Sequence, residues 1–109
     1  MDVKTAQQLV IAQVNTDEVD TFLARLQRQS PPVPGQVTSL LLALKVIYEH
    51  LKAAPSIDHE LAYALHQLAF IGRQSYEQGK QTNIEWPPLL NADLERIAIS
   101  VAQIFKGEA

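Results

Sequence analysis

The chain has 109 residues, 47% hydrophobic and 19% charged, with a formal net charge of −3, which predicts a single folded domain over 1–109 and argues against disorder. Its nine Lys and Arg residues are spread thinly along the sequence, so they form no basic patch for nucleic acid. The absence of cysteine excludes disulfides and thiolate catalysis, and it fits a reducing cytoplasm, where we expect this protein.

Two helices are predicted in the first third of the chain. Asp2 precedes the first helix, which covers 3–14. The second helix should begin at Thr16 and end near Gln29, because a threonine N-cap followed by two carboxylates suits the positive end of a helix dipole. Its apolar side chains recur at helical spacing: Val19, Phe22, Leu23 and Leu26.

Three prolines within 30–35 predict a stiff, extended connector, because proline lacks a backbone donor and restricts the residue before it. From Arg28 onward the segment also matches a basic-x-x-Pro-x-x-Pro pattern, which is typical of ligands for aromatic grooves. A rigid spacer between two helices has the same composition, and this is the interpretation that we favour.

A third helix, over about 35–53, carries the longest uninterrupted apolar stripe of the chain. The stripe consists of Val37, Leu40, Leu41, Leu44, Ile47, Tyr48 and Leu51. Leu42 and Val46 lie off this stripe, so the helix is apolar on more than one face. We therefore expect it in the middle of a helical bundle.

A fourth helix is predicted over about 57–78, opened by Ser56 or Asp58 and closed by Gly79 in a left-handed conformation. Its core stripe consists of Ile57, Leu61, Leu65, Leu68, Gly72 and Tyr76. Glycine costs roughly 1 kcal/mol relative to alanine inside a helix, so Gly72 indicates either the close approach of another helix or a mild kink.

A polar connector over 80–88 leads to the last helix, which Asn91 should cap and which should end at Lys106 and Gly107. Its stripe consists of Leu94, Ile97, Ala98, Val101, Ile104 and Phe105. The sequence has no internal repeat and no alternating strand pattern. It therefore predicts an all-α fold, a compact bundle of about five helices.

The sequence lacks the side-chain combinations that are typical of catalysis or metal binding. His59 and His66 are seven residues apart, which separates them by ~10 Å along a helix, too far to share one metal ion. There is no Gly-x-Ser-x-Gly elbow and no phosphate-binding loop. We expect no metal and no cofactor, and the residues favour a protein that is not an enzyme.

A second face of the fourth helix lies opposite its core stripe. It consists of His59, Tyr63, His66, Phe70 and Arg73 at spacings of four, three, four and three. A solvated face does not normally combine two histidines with Tyr and Phe, whereas aromatic residues and Arg are enriched at interfaces. The face is packed inside the monomer, contacts a second copy of the chain, or binds a ligand or another protein.

Trp86, the only tryptophan, precedes two prolines in the connector before the last helix. It either anchors this connector to the bundle or forms the wall of a binding site, and large aromatic side chains in small domains favour the anchor. No apolar run approaches the ~18 residues of a membrane span. We expect no membrane contact.

With 47% hydrophobic and 19% charged residues, the chain is more apolar and less charged than the globular average of about a quarter charged. This apolar surplus and the missing catalytic groups predict a non-enzymatic interaction or assembly module. The simplest form is a homodimer, and another protein is a further expected partner. The competing hypothesis is a small-molecule-binding domain or enzyme, with a pocket between the helices and the Trp86 connector.

Three segments, Pro31-Pro32-Val33-Pro34-Gly35-Gln36-Val37, Leu40-Leu41-Leu42-Ala43-Leu44-Lys45 and Trp86-Pro87-Pro88-Leu89-Leu90, resemble a group of short cyanobacterial helical proteins. Some members of that group are labelled dethiobiotin synthetase, which implies an ATP- and magnesium-dependent ligase. Enzymes with that activity are much longer α/β proteins with a phosphate-binding loop, which this sequence lacks. The resemblance therefore implies no functional residue here.

Overall fold

The computed structural model describes residues 1–108 and contains no strand among them, which confirms the predicted all-α bundle. The elements are α1 (Val3–Gln13), α2 (Phe22–Gln27), α3 (Gln36–Leu51), α4 (His59–His66), a π-helical turn (Gln67–Ile71), α5 (Gly72–Gln81) and α6 (Leu90–Lys106). Because α4, the π turn and α5 are continuous, these residues form five helical rods, the number that the sequence predicts.

The centre of the core is α3. Its contacts with α1 and α6 are the most extensive in the molecule, and Leu40, Leu44 and Ile47 have no exposed surface. Leu42 points away from the core and is 50% exposed, so α3 is not covered on every side. The other large side chains without significant exposure come from the remaining rods: Val10, Phe22, Leu23, Leu26, Leu61, Leu65, Leu68 and Ile97.

The last helix, α6, runs antiparallel beside the continuous rod formed by α4, the π turn and α5. Near its start, Asn91 contacts Arg73 of α5, and near its end Phe105 lines the same hollow as Ala62 of α4. On the other side of this rod, α1 packs against α4 and α2 packs against α5. The rod therefore changes neighbours at the π turn.

The predicted start of the second helix is wrong. Helix α2 begins at Phe22, and its N-cap is Thr21, whose hydroxyl accepts a hydrogen bond from the backbone N–H of Ala24 at 3.2 Å. Residues 15–20 form turns instead, in which the side chain of Asn15 accepts a hydrogen bond from the backbone two residues later. Two threonines offered an N-cap, and only the second has the buried apolar residues of α2 directly after it.

Charged side chains fasten α2 to the segments on both sides of it. Arg25 and Arg28 each bind Asp20 at 2.9 Å, and these hydrogen bonds, first from Arg28 and then from Arg25, hold the pKa of Asp20 below its usual value. Nε of Arg25 also donates to the carbonyl oxygen of Pro31 at 2.6 Å. Arg28, the basic residue of the polyproline-ligand pattern, is already paired with Asp20 within the chain. The proline segment joins α2 to α3.

Gly79 does not end its helix, contrary to the prediction. Helix α5 continues to Gln81, and the positive φ of +64° falls on Asn83. A Cβ atom at position 79 would lie 2.6 Å from the indole of Trp86, so this glycine makes room for the ring. At Gly72 a Cβ atom would meet its nearest neighbours at 3.9 Å, an ordinary van der Waals distance. The tight contact of this helix therefore occurs at Gly79, with a side chain of a connector, and not at Gly72, where the sequence left a close helix approach or a mild kink open.

The structure decides one helix start that the sequence left open and corrects another that it misplaced. Asp58, one of the two expected caps, opens α4 by accepting a hydrogen bond from the N–H of Leu61 at 3.2 Å. Asn91 does not cap α6, because Leu89 occupies the N-cap position and the Asn91 side chain accepts a hydrogen bond from Arg73 instead. A tertiary contact has replaced a local one.

The two glycines of α5 give a matched pair of variants. Gly79→Ala should lower the free energy of unfolding by about 1–3 kcal/mol, because the new methyl group displaces the Trp86 ring. Gly72→Ala should be neutral or stabilising by up to about 1 kcal/mol, because the methyl group fits and alanine favours the helix. Urea unfolding followed by circular dichroism measures both, and equal stabilities would contradict the packing described for Trp86.

Candidate functional site

Four of the five residues of the predicted second face lie on the surface of the molecule. Tyr63 and Phe70 are 65% and 55% exposed, and His59 and His66 are exposed beside them. No element of residues 1–108 covers this side of α4 and the π turn, so the face is not packed inside the monomer. We call these four side chains the aromatic face.

The π turn lies beneath the aromatic face. Its wider bonding is seen at Gly72, whose N–H donates to the carbonyl oxygen of Gln67, five residues earlier. On its outer side the imidazole of His66 stacks on the ring of Phe70, with 5.3 Å between ring centroids and an interplanar angle of 11°. Single π turns inside α-helices occur frequently at functional sites.

Arg73 does not join the aromatic face. Its guanidinium turns towards α6, where it donates to the side-chain oxygen of Asn91 at 2.6 Å and to the Asn91 carbonyl oxygen at 3.2 Å. It also pairs with Glu77 at 3.5 Å and lies 5.3 Å from the ring centroid of Tyr76. Arg73 therefore holds α5 against α6. The sequence could not separate Arg73 from the face, because regular helical spacing does not include the π turn between them.

Phe105 is an exposed aromatic residue that the sequence assigned to the core. It is 48% exposed and lines a hollow of about 490 Å³ between the connector that follows α3 and the end of α6. Ala62 of α4 lines the same hollow, which places Phe105 near the N-terminal end of the aromatic face. The apolar stripe of α6 does not predict this exposure. Phe105 lies at the edge of the stripe, where the packing of the adjacent helix decides whether a side chain is buried.

Trp86 packs against α5. Its Nε1–H donates to the carbonyl oxygen of Tyr76 at 3.0 Å, and the two rings stack with their centroids 5.9 Å apart. Gly79 lies against the same indole, where a Cβ atom would be 2.6 Å from the ring. The indole therefore fastens the connector between α5 and α6 to the bundle.

A hollow of about 250 Å³ lies between the two proline-containing connectors. Its lining consists of Pro32, Val33, Pro34, Gly35, Val37, Thr38, Pro87, Leu89, Leu90 and Asp93. Trp86 is not part of this lining, and the volume is below the ~300 Å³ at which typical ligand pockets begin. The arrangement therefore gives Trp86 no role as the wall of a ligand pocket there.

The remaining chemistry of the described residues is sparse. Between residues 1 and 108, no three His, Asp or Glu side chains come close enough to hold a metal ion together. Ser75 is the only polar side chain among the buried residues of this part of the chain. Within residues 1–108, every buried side-chain nitrogen or oxygen atom has a hydrogen-bond partner. The aromatic face is consequently the feature of the surface that most needs an explanation.

Comparison with known proteins finds no matching family, no matching curated protein and no matching solved structure. Across residues 1–108, none of the helices combines the length and the hydropathy needed to cross a bilayer.

Trp86→Ala should lower the free energy of unfolding by about 3 kcal/mol, at the low end for a tryptophan because part of the indole is in contact with solvent. Leu89→Ala in the same connector is the matched control, since a side chain 70% exposed should contribute less than about 0.5 kcal/mol. Both values come from urea unfolding. A Trp86→Ala protein as stable as the control would show that the indole does not anchor the connector.

Proposed function

We propose that this protein is a non-enzymatic helical assembly module that self-associates through the aromatic face. The observation that carries this proposal is the exposure of Tyr63 and Phe70, at 65% and 55%, on the same side of one rod. Single exposed apolar residues are ordinary on protein surfaces. Two large aromatic side chains aligned with two histidines, one of them stacked on Phe70, match the composition of interface cores.

The area available predicts a weak contact. Each aromatic side chain can bury about 100 Å² of its remaining surface, so the four rings of two copies contribute about 10 kcal/mol of transfer free energy at most. Association itself costs an estimated 4–15 kcal/mol. The net gain is therefore about 6 kcal/mol at most, and we expect a dissociation constant of tens of micromolar or weaker.

The test is sedimentation equilibrium over a wide range of protein concentrations. The wild-type chain should form dimers as its concentration rises. Phe70→Glu should remain monomeric, because an apolar contact would have to bury an unpaired carboxylate. Leu42→Glu on α3 is the matched control, since Leu42 is similarly exposed, at 50%, but lies outside the aromatic face, and this variant should dimerise like the wild type.

Circular dichroism should show equal helicity for the two variants, because both positions are exposed. A chain that is monomeric at every accessible concentration would overturn the proposal. So would a dimer that Phe70→Glu leaves unchanged, or one that Leu42→Glu disrupts equally.

A further inference from the structure

The aromatic face has a near-symmetric spacing along its rod. Tyr63 and Phe70 are seven residues apart, which separates them by about 10 Å along a helix, and His66 lies between them. A two-fold axis halfway between them, at the level of His66 and Gln67, would bring Tyr63 of each copy opposite Phe70 of the other. A parallel arrangement would instead place each ring opposite its own copy, so the spacing alone leaves two orientations.

Charge along the rod distinguishes these orientations. Residues 58–66 contain two carboxylates, Asp58 and Glu60, and no Lys or Arg. The cations of residues 67–81 do not face the same side, because Arg73 is held by Asn91 and Glu77 and Lys80 lies 5.7 Å from the ring centroid of Tyr76. Parallel pairing would put the acidic ends of two rods side by side. Antiparallel pairing separates the two acidic ends by about 20 Å along the rods, and it also aligns the two helix dipoles favourably.

The position of Arg73 removes one steric obstacle to such a pair. Helices pack with their axes 8–10 Å apart, which requires that nothing on the same side projects beyond the contacting rings. The basic side chain nearest to the rings, Arg73, is turned away and held by Asn91 and Glu77. The aromatic face therefore stands clear of its charged neighbour.

From these observations we propose that the partner of the aromatic face is a second copy of this chain, docked antiparallel about a two-fold axis at His66 and Gln67. This inference rests on the proposed function and adds the orientation and the register of the contact. Aromatic contacts between Tyr63 and Phe70 flank the axis on both sides, and His66 of each copy lies next to it.

Cysteine cross-linking tests the register, because the chain has no cysteine of its own and a disulfide forms only between Cα atoms within ~7 Å. His66→Cys lies at the axis and should link to itself under mild oxidation. His59→Cys should not link to itself, because the two copies of position 59 are about 22 Å apart along the rods. His59 and Gln74 are equally far from the axis and both exposed, so an equimolar mixture of His59→Cys and Gln74→Cys should link.

The control is Thr38→Cys, an exposed position on α3 away from the aromatic face, which gives the rate of random collisions. The mixture should link at least about tenfold faster than either of its variants alone or than this control, because a docked pair of thiols has a millimolar effective concentration.

The outcomes separate the two proposals. Self-linking of His59→Cys that matches or exceeds the rate of the mixture, in a chain that sedimentation shows to be dimeric, would overturn the antiparallel register and leave the proposed function intact. If the wild-type chain is monomeric and no variant links faster than Thr38→Cys, both proposals fail together. Rapid linking of His66→Cys and of the mixture supports the register.

Discussion

The structure depends on the burial of α3 between α1 and α6. Leu40, Leu44 and Ile47 lose all of their exposure to solvent in this arrangement, and burying each such side chain contributes about 1.5–3 kcal/mol. In a domain of this size no second core is available to replace that contribution. The positions of the other rods follow from this packing, because each must present its own apolar stripe to the same interior.

The long rod from α4 to α5 shows how the core leaves a surface free. Its inner side meets α1 before the π turn and α2 after it, and α6 lies along its flank, where Arg73 and Asn91 join the two helices. Three neighbours thus occupy the inner and lateral sides of the rod. The outer side has no helix of residues 1–108 over it, so Tyr63 and Phe70 remain exposed there.

Aromatic and ionic contacts that span different segments fix the connectors to the bundle. Trp86 stacks on Tyr76 across the connector before α6, while Arg25 reaches both Asp20 and the carbonyl of Pro31 around α2. The free energy gained in these contacts offsets the conformational entropy that is lost when the connectors become ordered. They leave the aromatic face as an outer surface of a well-fastened scaffold, on which an interface can be formed without reordering the chain.

The sequence by itself determined the fold class, the five rods and the central position of the third, because apolar periodicity depends on nearby residues alone. Tertiary structure decided the rest. Gly79 serves the Trp86 ring rather than a helix end, Asn91 binds Arg73 rather than its own helix, and Phe105 remains half exposed. Each of these outcomes depends on a neighbour distant in sequence, and no local pattern records which helix will lie alongside.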